Sequence, residues 1–228
     1  MQRNKAVIGL SGGMDSAVLL GMLLEEGYEV HCCVFSYGSK HNKYENTAAE
    51  NLCTFYQDRE FPVVPHFFDI SSVFEHIESN LLLTGGDIPE GHYEHESMKK
   101  TVVPGRNMIF ASIMAGVAES IGASIVALGV HSGDHAIYAD CRQEFVLALG
   151  TAVFLSTGGS VQVYTPLVKD YKADILRRGY SLMPQTPFAL TRTCYKDQYD
   201  PCGKCGSCQE RLEAFSIINT KDPVKYEQ

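Results

Sequence analysis

The chain has 228 residues, 45% of them hydrophobic and 20% charged, with a net charge of −8. That length suits one sizeable domain with at most a small appendage, and the acidic balance disfavours a general nucleic-acid or membrane-surface binder. No apolar run reaches the roughly 18 residues that a spanning helix needs, and the N-terminus enters a strand without a secretory apolar region. Eight cysteines divide into four scattered ones, Cys32, Cys33, Cys53 and Cys141, and four bunched ones, Cys194, Cys202, Cys205 and Cys208. Bunching at metal-ligand spacing points to a reducing compartment, the cytoplasm, and to a metal instead of a disulfide framework.

In chain order, an apolar run over 6–10 runs into Leu10-Ser11-Gly12-Gly13-Met14-Asp15-Ser16, and a helical pattern over 17–24 leads out. The piece reads strand, tight polar loop, helix. Gly12 and Gly13 let main chain approach a ligand closely. Ser11 and Ser16 add hydroxyls, and the free N–H groups of the helix start favour an anion. It is a phosphate cradle built mainly of backbone. It lacks the Gly-Lys-Ser/Thr ending of the common ATPase loop and the Gly-x-Gly-x-x-Gly spacing of a dinucleotide site.

Residues 28–35 read as a second strand, apolar almost throughout, as a strand buried on both faces should be. The polar loop Ser36-Tyr37-Gly38-Ser39-Lys40-His41 lies at its carboxyl end, where ligands of open α/β sheets collect. A helix follows over about 44–59, with Ala48, Ala49, Leu52, Phe55 and Tyr56 on one stripe. A third strand covers 63–70, and Pro65 within it points to a sheet edge. Ser71 or Ser72 caps a short helix ending near Leu83. The Gly- and Pro-rich stretch 84–104 is a long loop, and its His92 to Glu96 cluster reads as solvated polar residues in preference to a metal site. A long apolar helix spans about 108–121, a buried strand 124–130, and a polar loop 131–135. A helix to about 155, a short strand at 161–165 and a helix over 169–180 complete the alternation. Strands alternating with helices predict a doubly wound, mainly parallel α/β sheet.

Near the C-terminus, Cys194-x7-Cys202-x2-Cys205-x2-Cys208 provides four thiolates at tetrahedral zinc spacing, with Gly203 and Gly206 easing the turns. The rival readings are an iron–sulfur cluster and a redox pair. With four protein ligands the site is closed, so a zinc ion there holds the tail in place and takes no part in chemistry.

Ser-Gly-Gly-x-Asp-Ser after a buried strand resembles the pyrophosphate loop of the ATP pyrophosphatases. Five motifs in one order resemble the 7-cyano-7-deazaguanine (preQ0) synthase family over nearly the whole chain. They are that loop, Val-Pro-Gly-Arg-Asn at 103–107, Tyr-x-Asp-Cys-Arg-x-Glu-Phe at 138–145, Thr-Pro-Leu at 165–167 with Lys-Ala-Asp-Ile at 172–175, and the cysteine run. The resemblance implies an adenine nucleotide α-hydrolase-like, Rossmann-like fold. It divides the chain into an ATP pyrophosphatase domain, 1–190, and a zinc-binding segment, 191–228. It also implies a C–N-bond-forming ligase. ATP adenylates 7-carboxy-7-deazaguanine, ammonia displaces AMP to give an amide, and a second ATP converts the amide to the nitrile for queuosine-type modification. ATP, Mg²⁺ and one structural Zn²⁺ per chain are the implied cofactors. A homodimer is implied as well, with no stable nucleic-acid or membrane partner.

Residue roles follow from that resemblance. Leu10, Ser11, Gly12, Gly13, Met14, Asp15, Ser16, Ala17, Val18, Leu19 and Leu20 form the ATP-binding stretch. Asp15 either caps the helix or helps hold Mg²⁺. Arg106 is either a phosphate or carboxylate clamp or a surface arginine paired with an acid. Lys172 is either a pyrophosphate ligand or part of a solvated face. Asp15, Arg106 and Lys172 make the catalytic set; Tyr37, Arg106, Tyr138, Asp140 and Arg142 the substrate set, with Asp140 the first choice to accept from guanine-type N–H groups. Cys141 reads as packing. The chain departs from the family pattern at 36–41, and His135 and Ile137 stand where the family commonly has Tyr and Gly. These departures leave open a ligase that stops at the amide or takes another deazapurine. Thiolation of tRNA or NAD-type amidation, and a non-catalytic ATP-binding sensor or assembly protein, are the remaining alternatives. No glutaminase-like segment supplies the ammonia.

Overall fold

The computed structural model describes residues 3–227, so the outer limits of the two expected segments, residues 1 and 228, lie outside the described residues. Five strands, β1 (Lys5–Gly9), β2 (Glu29–Ser36), β3 (Val63–Asp69), β4 (Ile125–Ala127) and β5 (Gln162–Tyr164), form one sheet in the order β3-β2-β1-β4-β5. Every neighbouring pair is parallel, with Val7 opposite His31 on one side of β1 and opposite Val126 on the other. β1 and β2 are buried almost end to end, which their continuous apolar runs require. β3 is half-buried at the edge, where Pro65 costs no central ladder bond.

Helices cover both faces. Helices α1 (Met14–Glu25) and α2 (Asn42–Gln57) pack with Ala6, Ile8 and Val34 in one core. Four-residue α3 (Ser71–Phe74) follows β3; α4 (Arg106–Ile121) and α5 (Gln143–Ser156) pack with Val7, Cys33 and Val126 in the other. Helices α6 (Lys172–Ser181) and α7 (Gly206–Ile217) return to the α1 side, where Leu176 and Phe215 join the first core. The sheet is therefore doubly wound, as predicted.

Three expectations need correction. The helix predicted to end near Leu83 stops at Phe74. Neither serine caps it: Ile70 is the cap residue, and Asp69 Oδ1 accepts from the Ser71 amide at 3.0 Å. The chain then turns back against the 36–41 loop, where the Lys40 amide donates to Leu81 O at 2.8 Å and the Leu83 amide to Gly38 O at 2.9 Å. Leu81 and Leu82 are buried in that packing, and their apolar pattern imitates a helix. Strand 124–130 pairs only over Ile125–Ala127, because Gly129 then closes on the start of α1, 3.3 Å from the Ser16 amide if it carried a Cβ. The tail contains α7, which the sequence did not announce.

The tail is clamped to the sheet domain by one buried cation. Arg211, 2% exposed, donates to both Asp222 oxygens at 2.8 and 2.9 Å, to the Thr191 hydroxyl at 2.7 Å and to Phe188 O at 3.0 Å. Tyr226 donates its hydroxyl to Asp222 at 2.6 Å.

Candidate active site and metal centre

A cleft opens at the carboxyl ends of β1, β2 and β4, lined there by Gly9, Cys33 to Phe35, and Leu128 to Val130. β1 is the switch point of the sheet, since the chain leaves it toward β2 on one side and meets β4 on the other. Ligands of open α/β sheets bind at such a point.

The 10–16 loop forms the floor. Gly12 has φ +76, and a Cβ there would lie 2.7 Å from Glu45 O and 2.8 Å from Ala48 Cβ. Only glycine fits both conditions. Gly13 starts α1 without any side-chain cap, so the first helical amides remain available to an anion. Ser11 Oγ accepts from the Gly13 amide at 3.3 Å and lies 3.2 Å from Ser16 Oγ. Leu10 and Met14 line the cleft. Ala17, Val18, Leu19 and Leu20 do not line the cleft: they are fully buried in the first core and hold α1 in place.

Asp15, Lys172 and Glu210 meet beside this floor. Lys172 Nζ lies 3.2 Å from Asp15 Oδ2 and 2.8 Å from Glu210 Oε2. Lys172 is 7% exposed at the first position of α6, so it is not on a solvated face. Burial opposes its charge, but Asp15 and Glu210 outweigh burial and hold the ammonium above its ordinary range. Burial likewise works to raise Asp15, yet Lys172 and His131 keep its carboxyl below the ordinary carboxylate value. Asp15 Oδ1 is buried and has no hydrogen-bond partner. His131 is buried beside them, with Nε2 at 3.3 Å from Asp134 Oδ2 and 3.7 Å from Asp15 Oδ2.

The other wall is aromatic. Arg106 donates to the Tyr37 hydroxyl at 3.2 Å. Burial works against its charge, but Tyr37, Tyr195, Tyr138 and Asp140 keep the guanidinium firmly protonated. Arg106 and Tyr37 line the cleft, whereas Tyr138 lines a small neighbouring cavity and donates to or accepts from Thr101 at 2.8 Å. Asp140 and Arg142 line neither. Asp140 Oδ2 accepts from the Asn107 amide at 3.2 Å in the first turn of α4, and Arg142 donates outward to His135 O at 2.9 Å. Of the carboxylates in this loop region, Asp134 lines the cleft and Asp140 does not. Cys141 is buried with its thiol pushed well up, first by burial, which suits packing and not nucleophilic attack.

Residues of the tail complete the cleft: Arg192, Thr193, Tyr195, Ser207 and Glu210 all line it. The Arg192 amide donates to Gly12 O at 2.7 Å. Its guanidinium holds the following turn through Tyr199 O, Lys196 O and Gln198 O at 2.7 to 3.0 Å, and its Nε is buried without a partner. No isolated motif marked Asp134, Arg192 or Glu210. The only signal was position: Asp134 in a polar loop after a strand, Arg192 and Glu210 flanking the cysteine run.

The four tail cysteines converge. All are buried, and their sulfurs lie within 4.8 Å of one another, Cys194 Sγ and Cys202 Sγ at 3.6 Å. A tetrahedron with metal–sulfur bonds of about 2.3 Å has edges of about 3.8 Å, so this arrangement fits one zinc-sized ion. Cys194 Sγ accepts from the Lys196 and Cys202 amides, and Cys202 Sγ from the Lys204 and Cys205 amides, at 3.3 to 3.4 Å. Such bonds favour thiolates. The His92 to Glu96 stretch is exposed, apart from half-buried Tyr93, as expected of solvated residues. No helix among the described residues is long and apolar enough to cross a membrane.

A family profile described as "Queuosine biosynthesis protein QueC" matches residues 5–219. The chain is 44% identical over 223 residues to the 7-cyano-7-deazaguanine synthase of Pseudoalteromonas atlantica, covering 98% of this chain and 99% of that one. It is 43% identical over 224 residues to the synthase of the same name from Methanoregula boonei, with 98% and 99% covered. Among solved structures, the U34-tRNA thiolase NcsA from Methanococcus maripaludis has a TM-score of 0.53 at 17% identity, over 96% of this chain and 66% of the thiolase. NMN synthetase from Francisella tularensis has a TM-score of 0.53 at 14% identity, over 96% and 79%. At those identities the two solved structures speak for the fold alone. The chain belongs to the QueC family of queuosine biosynthesis proteins.

Proposed function

We propose that the protein is the ligase that converts 7-carboxy-7-deazaguanine, ammonia and ATP into 7-cyano-7-deazaguanine. The observation that carries this reading is the full-length kinship to synthases of that name, joined to an uncapped Ser-Gly-Gly-x-Asp-Ser helix start that opens into the cleft.

The chemistry asks for a leaving group on a carboxylate oxygen. That oxygen attacks the α-phosphorus of ATP, and pyrophosphate departs toward the 11–16 loop. The α1 amides, the Ser11 and Ser16 hydroxyls and Lys172 meet its growing charge, which is the kind of fixed donor set that stabilises such a transition state. Asp15 would help hold Mg²⁺; its Oδ1 has no partner of its own, and hard oxygen donors suit that ion. When bound, the ion shares the charge of the triphosphate. Arg106 orients the substrate carboxylate, with Tyr37 fixing its guanidinium. Asp134, not Asp140, is the carboxylate we assign to the guanine-type N–H groups. Ammonia then attacks the acyl carbon and AMP leaves. In the second round the amide oxygen takes the adenylyl group as pyrophosphate leaves, and loss of AMP and of both amide N–H protons leaves the nitrile.

We also propose that the tail thiolates bind one Zn²⁺, which supplies no chemistry beyond closing the knot. A homodimer is the reading we favour for the outer side of α5, where Leu147 and Leu155 are 64% and 72% exposed. Mass spectrometry of a reaction with the acid, MgATP and ammonium tests the activity. Nitrile, AMP and pyrophosphate are expected; release of no AMP by folded protein would contradict it.

A further inference from the structure

We propose that the small cavity beside the cleft admits the nitrogen nucleophile, ammonia; this rests on the amide-forming reading above. The cavity encloses about 20 Å³, against about 210 Å³ for the cleft. A water-sized molecule needs about 10–15 Å³. The cavity therefore takes one such molecule and excludes a nucleobase or an amino-acid amide. Asp134, Tyr195, Ser207 and Glu210 line both spaces, so a molecule leaving the cavity enters the cleft beside Lys172.

The donors and acceptors suit ammonia. His131, buried behind the cavity wall, accepts at Nδ1 from the Gly133 amide at 3.1 Å and so fixes Gly133 in that wall. A nitrogen of His131 and one oxygen each of Asp134 and Glu210 lie within 4.8 Å of one another. Ammonia there donates its N–H groups to the Asp134 and Glu210 carboxylates and accepts from a hydroxyl among Ser207, Tyr138 and Tyr195, all of which line the cavity, while the carboxylates attract ammonium from solution. Facing groups from the packed elements are Tyr93, Tyr138 and Tyr195, which carry no cation. Lys172 is already held between Asp15 and Glu210. Gly133 keeps the spot open: a Cβ there would lie 2.5 Å from Glu210 Oε1 and 2.9 Å from His131 Cε1.

Ile137 forms part of the cavity wall and has no part in the catalytic set. Ile137→Phe fills the cavity; Ile137→Ala enlarges it. The test varies ammonium chloride at saturating MgATP and acid, and measures acid-dependent ATP–pyrophosphate exchange, which needs no ammonia. Ile137→Phe is expected to raise the ammonium KM about tenfold or more with exchange within about twofold of the parent. Ile137→Ala is expected to form the N-methylamide from methylamine, which the parent does not. An unchanged ammonium KM, equal losses of exchange and amide formation, or no methylamide from Ile137→Ala would each overturn the proposal. Absence of exchange in the parent would instead sink the activity on which it rests.

Discussion

Lys172 is held by two carboxylates in a place where water barely reaches it. Removing one partner of a buried ion pair costs about 3–5 kcal/mol, so Lys172→Met is expected to lower thermal stability. It should also slow adenylation by about a hundredfold or more, the scale for losing one donor to a developing anion. The pH dependence follows from the directions of the shifts. A lysine raised above its ordinary 10.5 contributes fully below that value and loses its contribution only as pH rises through the higher folded value. A carboxyl lowered from 3.8 contributes above that value and loses its contribution as pH falls through the lower folded one. Stopped assays of adenylation between about pH 5 and 9 should therefore show no ionisation from this pair; a titration from it in that window would contradict the geometry. Gly12→Ala should abolish ATP-dependent exchange, because its φ of +76 and the Glu45 carbonyl leave no room for a methyl. At this scale the sequence was informative where the backbone itself makes the site. It was misleading for Asp140, whose carboxylate accepts from the α4 amide, since a side chain's direction depends on tertiary packing that spacing does not encode.

Helix α7 shows why an element can function without being legible. Its inward positions include Cys208, Glu210 and Arg211, with Ala214 and Phe215 the apolar ones. A periodicity reading looks for an apolar stripe, and this helix turns polar groups inward because they have dedicated partners: Lys172 for Glu210, Asp222 for Arg211. The cysteine spacing was legible, since knuckle geometry is local; the delivery of Glu210, Arg192 and Tyr195 to the cleft was not. An ion held by the four thiolates would therefore bear on catalysis through position alone. Cys194→Ser should lower zinc content below one per chain by elemental analysis, lower the Tm, and reduce exchange together with stability. Arg211→Met should behave similarly in stability, falling by about 3–5 kcal/mol as Asp222 loses its partner, while retaining zinc. An Arg211→Met protein of parental stability would show that the clamp is redundant. The 71–83 segment taught the opposite lesson: buried Leu81 and Leu82 satisfied a helical pattern while serving the 36–41 loop.

For the whole molecule, the alternation of strands and helices was enough to predict the doubly wound sheet, and Pro65 marked the edge strand. What no periodicity contained was the return of the chain after α6, which brings the tail back over the mouth of the cleft. Leu147 and Leu155 face outward on α5. Leu147→Asp with Leu155→Asp is expected to shift the protein from dimer to monomer in analytical ultracentrifugation; a parental monomer would refute the dimer. The central claim is that one cleft adenylates first an acid and then an amide. Mass spectrometry with quantified AMP, on the parent protein with 7-carboxy-7-deazaguanine, MgATP and ammonium, tests it most directly. The account expects the nitrile with two AMP per molecule, the amide rising and then falling; amide that accumulates with one AMP and never yields nitrile would contradict it.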